Sequence, residues 1–220
     1  MRNLKFAEKE FYHIYNRGVD KRDIFLNEAD LERFFKAMTL LNREKSIGSI
    51  RDFPRDRHGV SEKERLVRII AYCLNSNHFH FILEQIEERG IERFMHKVGM
   101  SHSKYINAKY GRNGALFQGG FGAKRIDSNE YLLHLSAYIN LNSIAHNHGH
   151  QVASLCRTSW NEYVADNYPE EVCEKKIILE QFKSRNEYQK FAEESLKSIL
   201  ERKMLLSELE NVGIERVYTK

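Results

Sequence analysis

The sequence predicts an α+β domain, on three observations. Segments that alternate apolar and polar residues interleave with segments whose apolar residues recur every three or four positions. Two apolar strand-like segments, Val67–Leu74 and His78–Glu84, are separated only by Asn75-Ser76-Asn77, turn chemistry that folds the second back on the first. Asp127-Ser128-Asn129-Glu130 has the spacing of a capping box, an Asp to cap amides and a Glu three residues on, and opens a late helix.

Each element follows in order. Glu10–Asn16 alternates Phe11, His13 and Tyr15 against Tyr12 and Ile14 and ends at Arg17-Gly18, which predicts a first strand. Asn27–Asn42 places Leu31, Phe34, Phe35, Met38 and Leu41 on one stripe, which predicts an amphipathic helix. Ser46–Arg65 is polar and contains Pro54, one of only two prolines. It reads as an irregular solvated insert with a short helix near Ser61–Glu64. Val67–Leu74 is almost wholly apolar and so reads as central; the His78 strand returns antiparallel to it. Ile91–Lys109 is helical, with apolar Phe94, Val98 and Tyr105 and basic Arg93, Lys97, Lys104 and Lys109, and it stops at Gly111. Ala115–Ile126 is expected to be extended, though its glycines at 119, 120 and 122 weaken it. The capped helix runs from Tyr131 to about Ile144. Strand, helix, strand, strand, helix, strand is the ferredoxin-like pattern, an antiparallel sheet with helices on one face, here with one extra helix. Beyond His146 the chain becomes charged and mostly helical. We therefore divide it into a domain at 1–145 and a helical extension at 146–220, with Thr158–Val164 expected as an irregular segment packing back.

Composition narrows the classes. At 220 residues with 41% hydrophobic and 30% charged content, the chain can bury a core and stay in solution. Three scattered cysteines with no Cys-x-x-Cys argue against a disulfide framework and a structural zinc site. They imply a reducing, cytoplasmic setting, with no apolar signal core at the start and no membrane-spanning run. Net charge is only +4, but eight Lys/Arg face one acid between Arg89 and Ile126, while thirteen acids face eight Lys/Arg between Asn161 and Glu215. A basic middle and an acidic tail suit contact between the middle and a polyanion.

The chemistry centres on Asn77-His78-Phe79-His80-Phe81. On a strand, alternate side chains share a face, so His78 and His80 point one way, about 7 Å apart at the usual rise per residue. Phe79 and Phe81 point into a core. Two imidazoles so placed suit one metal ion or one phosphate. In the capped helix, Tyr138 and Asn142 are four apart and share a face. If that face covers the histidines, the site gains a phenol and an amide oxygen, and the oxygen of Asn142 is a third ligand for a hard cation such as Mg²⁺ or Mn²⁺. Spacing alone leaves Tyr105 and Tyr110 as rival tyrosines. Gln118 is a weaker candidate, read as a sheet residue.

His13-Ile14-Tyr15-Asn16-Arg17-Gly18, Asn77 to Phe81, Tyr110-Gly111-Arg112, Leu116 to Gly119, Asp127 to Leu133 and Tyr138-Ile139-Asn140-Leu141-Asn142 occur in the order of one family. Over roughly residues 9–145 the chain resembles the HUH single-tyrosine transposases, in particular the branch with the REP-associated tyrosine transposases; Ser159-Trp160-Asn161-Glu162-Tyr163 resembles tails of that branch. The resemblance implies a metal-dependent transesterification on single-stranded or hairpin DNA. His78, His80 and Asn142 would hold Mg²⁺ or Mn²⁺, and Tyr138 would form a 5′-phosphotyrosine. Arg17, Lys104, Lys109, Arg112, Lys124 and Arg125 would meet phosphates. Relatives act as monomers or homodimers. The chain departs from the branch at Ser76 and Ser143, where proline is common, at Gly120, where arginine is common, and at Gly122, where a basic residue is common. Two other readings stay open: a domesticated protein that binds DNA or RNA hairpins without cutting, and a phosphodiesterase for small substrates.

Overall fold

The computed structural model describes residues 4–45, 64–142 and 155–211, the last ten as backbone only. Residues 46–63 of the insert expected at 46–65, with all but Glu64 of its short helix at 61–64, and the expected end of the late helix at Ile144 lie outside the described residues.

Five strands form one antiparallel sheet: β1 (Phe11–Arg17), β2 (Val67–Asn75), β3 (His78–Gln85), β4 (Gly122–Arg125) and β5 (Cys156–Thr158), in the order β4-β1-β3-β2-β5. The first four strands keep the ferredoxin-like order, and β5 extends the sheet at the β2 edge. The central strand is β3, paired along its length with β1 and β2.

Alternation decides what each face of the sheet meets. Tyr12, Ile14, Tyr72, Phe79 and Phe81 are buried against α1 (Glu28–Leu40) and α2 (Gly90–Lys109). Phe34 of α1 packs on Phe79, and Phe94 of α2 on Phe81. Each such fully buried ring or aliphatic side chain contributes roughly 1.5–3 kcal/mol. Asn27 caps α1 by accepting from the Asp30 amide. Asp30 is fully buried and accepts from the Tyr105 and Tyr110 hydroxyls, Lys109 Nζ and the Leu26 amide, which ties the start of α1 to the end of α2.

On the other face lies α3 (Asn129–Asn140), backed by α6 (Arg185–Asn211). The buried Tyr188 hydroxyl of α6 accepts from Asn140 Nδ2 at 2.8 Å and pairs with Ser136 Oγ at 3.1 Å. Between β5 and α6 run two short helices, α4 (Trp160–Val164) and α5 (Lys176–Leu179). Tyr163, Ile178 and Tyr188 join the same buried cluster as the sheet. No helix among the described residues is long and apolar enough to cross a membrane.

Three expectations are corrected. Of Ala115–Ile126, only Gly122–Arg125 pairs as a strand; before it there is a single bridge between Gly18 and Phe117, and Gly119 turns the chain at φ +73°. The residue capping α3 is Ser128, which accepts from the Tyr131 amide, one position later than the box read at Asp127. The segment expected to be irregular at Thr158–Val164 holds the end of β5 and the helix α4.

Candidate active site

Strand register assembles the site. β1 sets Tyr15 opposite His80 and Arg17 opposite His78, while β2 sets Cys73 opposite His80 and Asn75 opposite His78. Directly paired residues share a face, so the histidines, Tyr15, Arg17 and Asn75 all point away from α1 and α2. Over this face comes α3. The Tyr138 ring meets the His80 ring edge-on, with centroids 6.1 Å apart. One turn later, Asn142 Oδ1 accepts from Asn75 Nδ2 at 2.8 Å.

Each imidazole has its Nδ1 tied to a second side chain. His78 Nδ1 lies 2.6 Å from Asn77 Oδ1. An amide oxygen only accepts, so Nδ1 carries the proton and Nε2 keeps its lone pair, which faces Asn75 Nδ2 at 2.9 Å. His80 Nδ1 lies 2.9 Å from His13 Nε2. Burial and then the charge of Lys124 push His13 down to about 4, so it is neutral at pH 7. When His80 donates from Nδ1 to this neutral ring, its own Nε2 is unprotonated. Partners that fix the imidazole tautomer in this way are typical of metal-ligating histidines.

A divalent ion fits this donor set. His78 Nε2 and Asn142 Oδ1 already converge on one positive group, the Asn75 amide hydrogens. Among the described residues, no three His, Cys, Asp or Glu side chains gather as a metal centre. Cys73, opposite His80, donates its thiol to Asn142 Oδ1, and burial pushes that thiol's pKa up, so the donors offered are two imidazoles and an amide oxygen, a set that suits Mg²⁺ or Mn²⁺ better than a thiolate-seeking ion.

The histidines open onto a cleft of about 740 Å³, also lined by Tyr15, Asn16, Arg17, Lys21, Asn75, Asn77 and Gln118. Tyr138 and Asn142 are not among its lining residues; they approach the histidines from the α3 side, and Asn142 is fully buried. Burial raises the pKa of the Tyr138 phenol, and the adjacent Asn142 amide works against that rise.

The structure separates the six basic residues. Arg17 lines the cleft, with Nε donating to Gln118 Oε1. Lys124 is paired with His13 and lies 4.8 Å from the Tyr131 ring centroid. Arg125 points to the opposite face, paired with Tyr12 and ion-paired with Glu10. On α2, Lys104 is exposed and Lys109 is bound to Asp30; Arg112 follows in the next loop. Tyr105 and Tyr110 also bind Asp30, on the far side of the sheet from the histidines. Gln118 sits in a loop, not in a strand.

Sequence reading missed His13, Tyr15, Lys21, Asn75 and Asn77 as parts of this face. For His13 and Tyr15 the signal was present: alternation puts them on one face with Arg17. Which strand that face would meet was not legible.

Residues 38–142 match the family model described as "Transposase IS200 like". No curated protein matches the chain. Among solved structures, the fold is similar to that of a REP-associated tyrosine transposase bound to a REP hairpin, with a TM-score of 0.50 and 14% identity over 79% of this chain and 93% of that one. The family match covers residues 38–142, just under half of the chain, and over that stretch, where the sheet carries paired histidines at its centre beneath a tyrosine-bearing helix, the chain is similar to the IS200-like transposases.

Proposed function

We propose that the protein is an HUH single-tyrosine strand transferase that cuts and rejoins single-stranded DNA beside hairpins. The observation that carries this reading is the approach of Tyr138 to His80 within one chain, with ring centroids 6.1 Å apart. Tyr138 Oη attacks the scissile phosphorus; the P–O3′ bond breaks, leaving a 5′-phosphotyrosine and a 3′-hydroxyl. Attack by an incoming 3′-hydroxyl reverses the step and releases the tyrosine, so no nucleotide cofactor is needed. His78, His80 and the Asn142 amide oxygen would hold Mg²⁺ or Mn²⁺, which would supply charge stabilisation at the phosphate oxygens and help the phenol to ionise. Asn77 and His13 orient the two imidazoles. Arg17 and Lys21 hold flanking phosphates, and α6 braces α3 through Tyr188.

The test is incubation of the full chain with hairpin DNA bearing single-stranded flanks, together with Mg²⁺ or Mn²⁺. We expect a covalent protein–DNA adduct that is lost in Tyr138→Phe and retained in Tyr15→Phe. An adduct that survives Tyr138→Phe places the nucleophile elsewhere. One observation favours a second reading, a hairpin-binding protein that does not cut: Asn75 Nδ2 already satisfies both His78 Nε2 and Asn142 Oδ1. Tight hairpin binding with no adduct at any metal concentration supports that reading.

A further inference from the structure

We propose that Tyr15 is a stacking platform for an unpaired nucleobase beside the histidine pair, and that Gly122 makes the room in which its ring lies. The proposal rests on the nucleic-acid reading above and deepens it. β1 precedes the segment that matches the family model, so the match assigns nothing to this residue.

Tyr15 is 43% exposed; of the large apolar side chains this exposed among the described residues, it alone lines the cleft. Its ring centroid is 6.1 Å from that of His80 and 5.0 Å from that of His13. On the other side, β4 pairs Gly122 with Tyr15. A Cβ on Gly122 would fall 2.4 Å from both Cε2 and Cζ of the ring, where real side chains essentially never come. The ring therefore lies across the position that any other residue would fill, backed by bare strand. This fixes the ring before a ligand arrives and lowers the ordering cost of binding.

The surroundings match the rest of a nucleotide. Arg17, two residues along the same face, and Lys21 supply cations for flanking phosphates. Asn16, Asn77 and Gln118 line the same cleft with amides, which suit the donors and acceptors on a base edge. A flat aromatic surface between amides and cations is what single-stranded nucleic acid uses, since every base has a face to stack. A long basic side chain at 122 would displace the ring.

The test is fluorescence anisotropy of the full chain with a labelled dT₁₂ oligonucleotide between about 50 and 200 mM salt, a range over which phosphate contacts weaken measurably. We expect Tyr15→Ala to raise Kd roughly five-fold or more while leaving the salt slope as in the wild type. Tyr15→Phe should restore binding, whereas Gly122→Val should reproduce the Tyr15→Ala loss. With 2-aminopurine scanned along the oligonucleotide, quenching should occur at one position and depend on an aromatic residue at 15. Circular dichroism confirms that each variant folds. Salt-sensitive binding that is unchanged in Tyr15→Ala overturns the platform alone, as does a Tyr15→Phe variant as weak as Tyr15→Ala. A wild-type chain that leaves dT₁₂ unbound even at low salt overturns the nucleic-acid reading, and the platform with it.

Discussion

Acid should destabilise this fold through one buried imidazole behind the site. His102 is fully buried, ringed by Phe25, Phe34, Tyr105 and Phe117. Its Nε2 donates to the Ile24 carbonyl at 2.7 Å, while Nδ1 has no partner. Protonation would place a second N–H, and a charge, where nothing accepts them. Burial accordingly lowers its pKa from 6.5 to about 4. The unfolded chain then binds a proton that the folded chain refuses. Stability is complete above pH 6.5 and is lost as pH falls toward 4. At about 1.36 kcal/mol per pKa unit, the full loss is about 3 kcal/mol, of which roughly 2 is gone by pH 5. The Ile24 and Phe25 amides both donate to the Ser76 carbonyl, so the loosened region buttresses the turn that leads into His78. Urea denaturation at pH 7.5 and pH 5 measures the effect. His102→Gln, which keeps a donor but cannot titrate, should be less stable at pH 7.5 yet lose about 2 kcal/mol less between the two pH values. Equal losses in the two proteins would refute the reasoning.

Other outcomes follow from contacts already described. Asp30→Ala removes the acceptor shared by the Tyr105 and Tyr110 hydroxyls and the Leu26 amide at the α1–α2 junction and should cost roughly 1–3 kcal/mol in denaturant titration. Tyr188→Phe leaves Asn140 Nδ2 without its acceptor and should cost roughly 1–3 kcal/mol; adduct yield should fall with it, because α3 loses its brace. Chelation with EDTA should abolish adduct formation while preserving anisotropy-detected DNA binding, and added Mn²⁺ should restore the adduct.

The strands and helices that position the site were legible because their signals are local. The alternation of Phe11–Tyr15 and the apolar stripe of Leu31–Met38 placed β1 and α1 within about two residues of their observed bounds. The face shared by His78 and His80 follows from the two-residue period of a strand. What escaped depends on partners distant in sequence. A three-residue strand such as β5 carries no period; it forms because its backbone pairs with β2. The glycines at 119 and 120 left the length of β4 open. Lys109 and Arg125 read as cations for DNA, yet Asp30 and Glu10 hold them, and neither acid stands near its partner in the sequence. The His13–His80 contact likewise needed the register between β1 and β3.

Stitching α3 to α6 through Tyr188 has a consequence for how cut ends could be moved. The proposed nucleophile rides on a helix moored to a 27-residue neighbour. Passing that helix, with DNA attached, to a second copy would mean unmooring it from this anchor. A chain built this way favours the opposite choreography: the tyrosine stays put, and the nucleic acid swings past it to find its new junction.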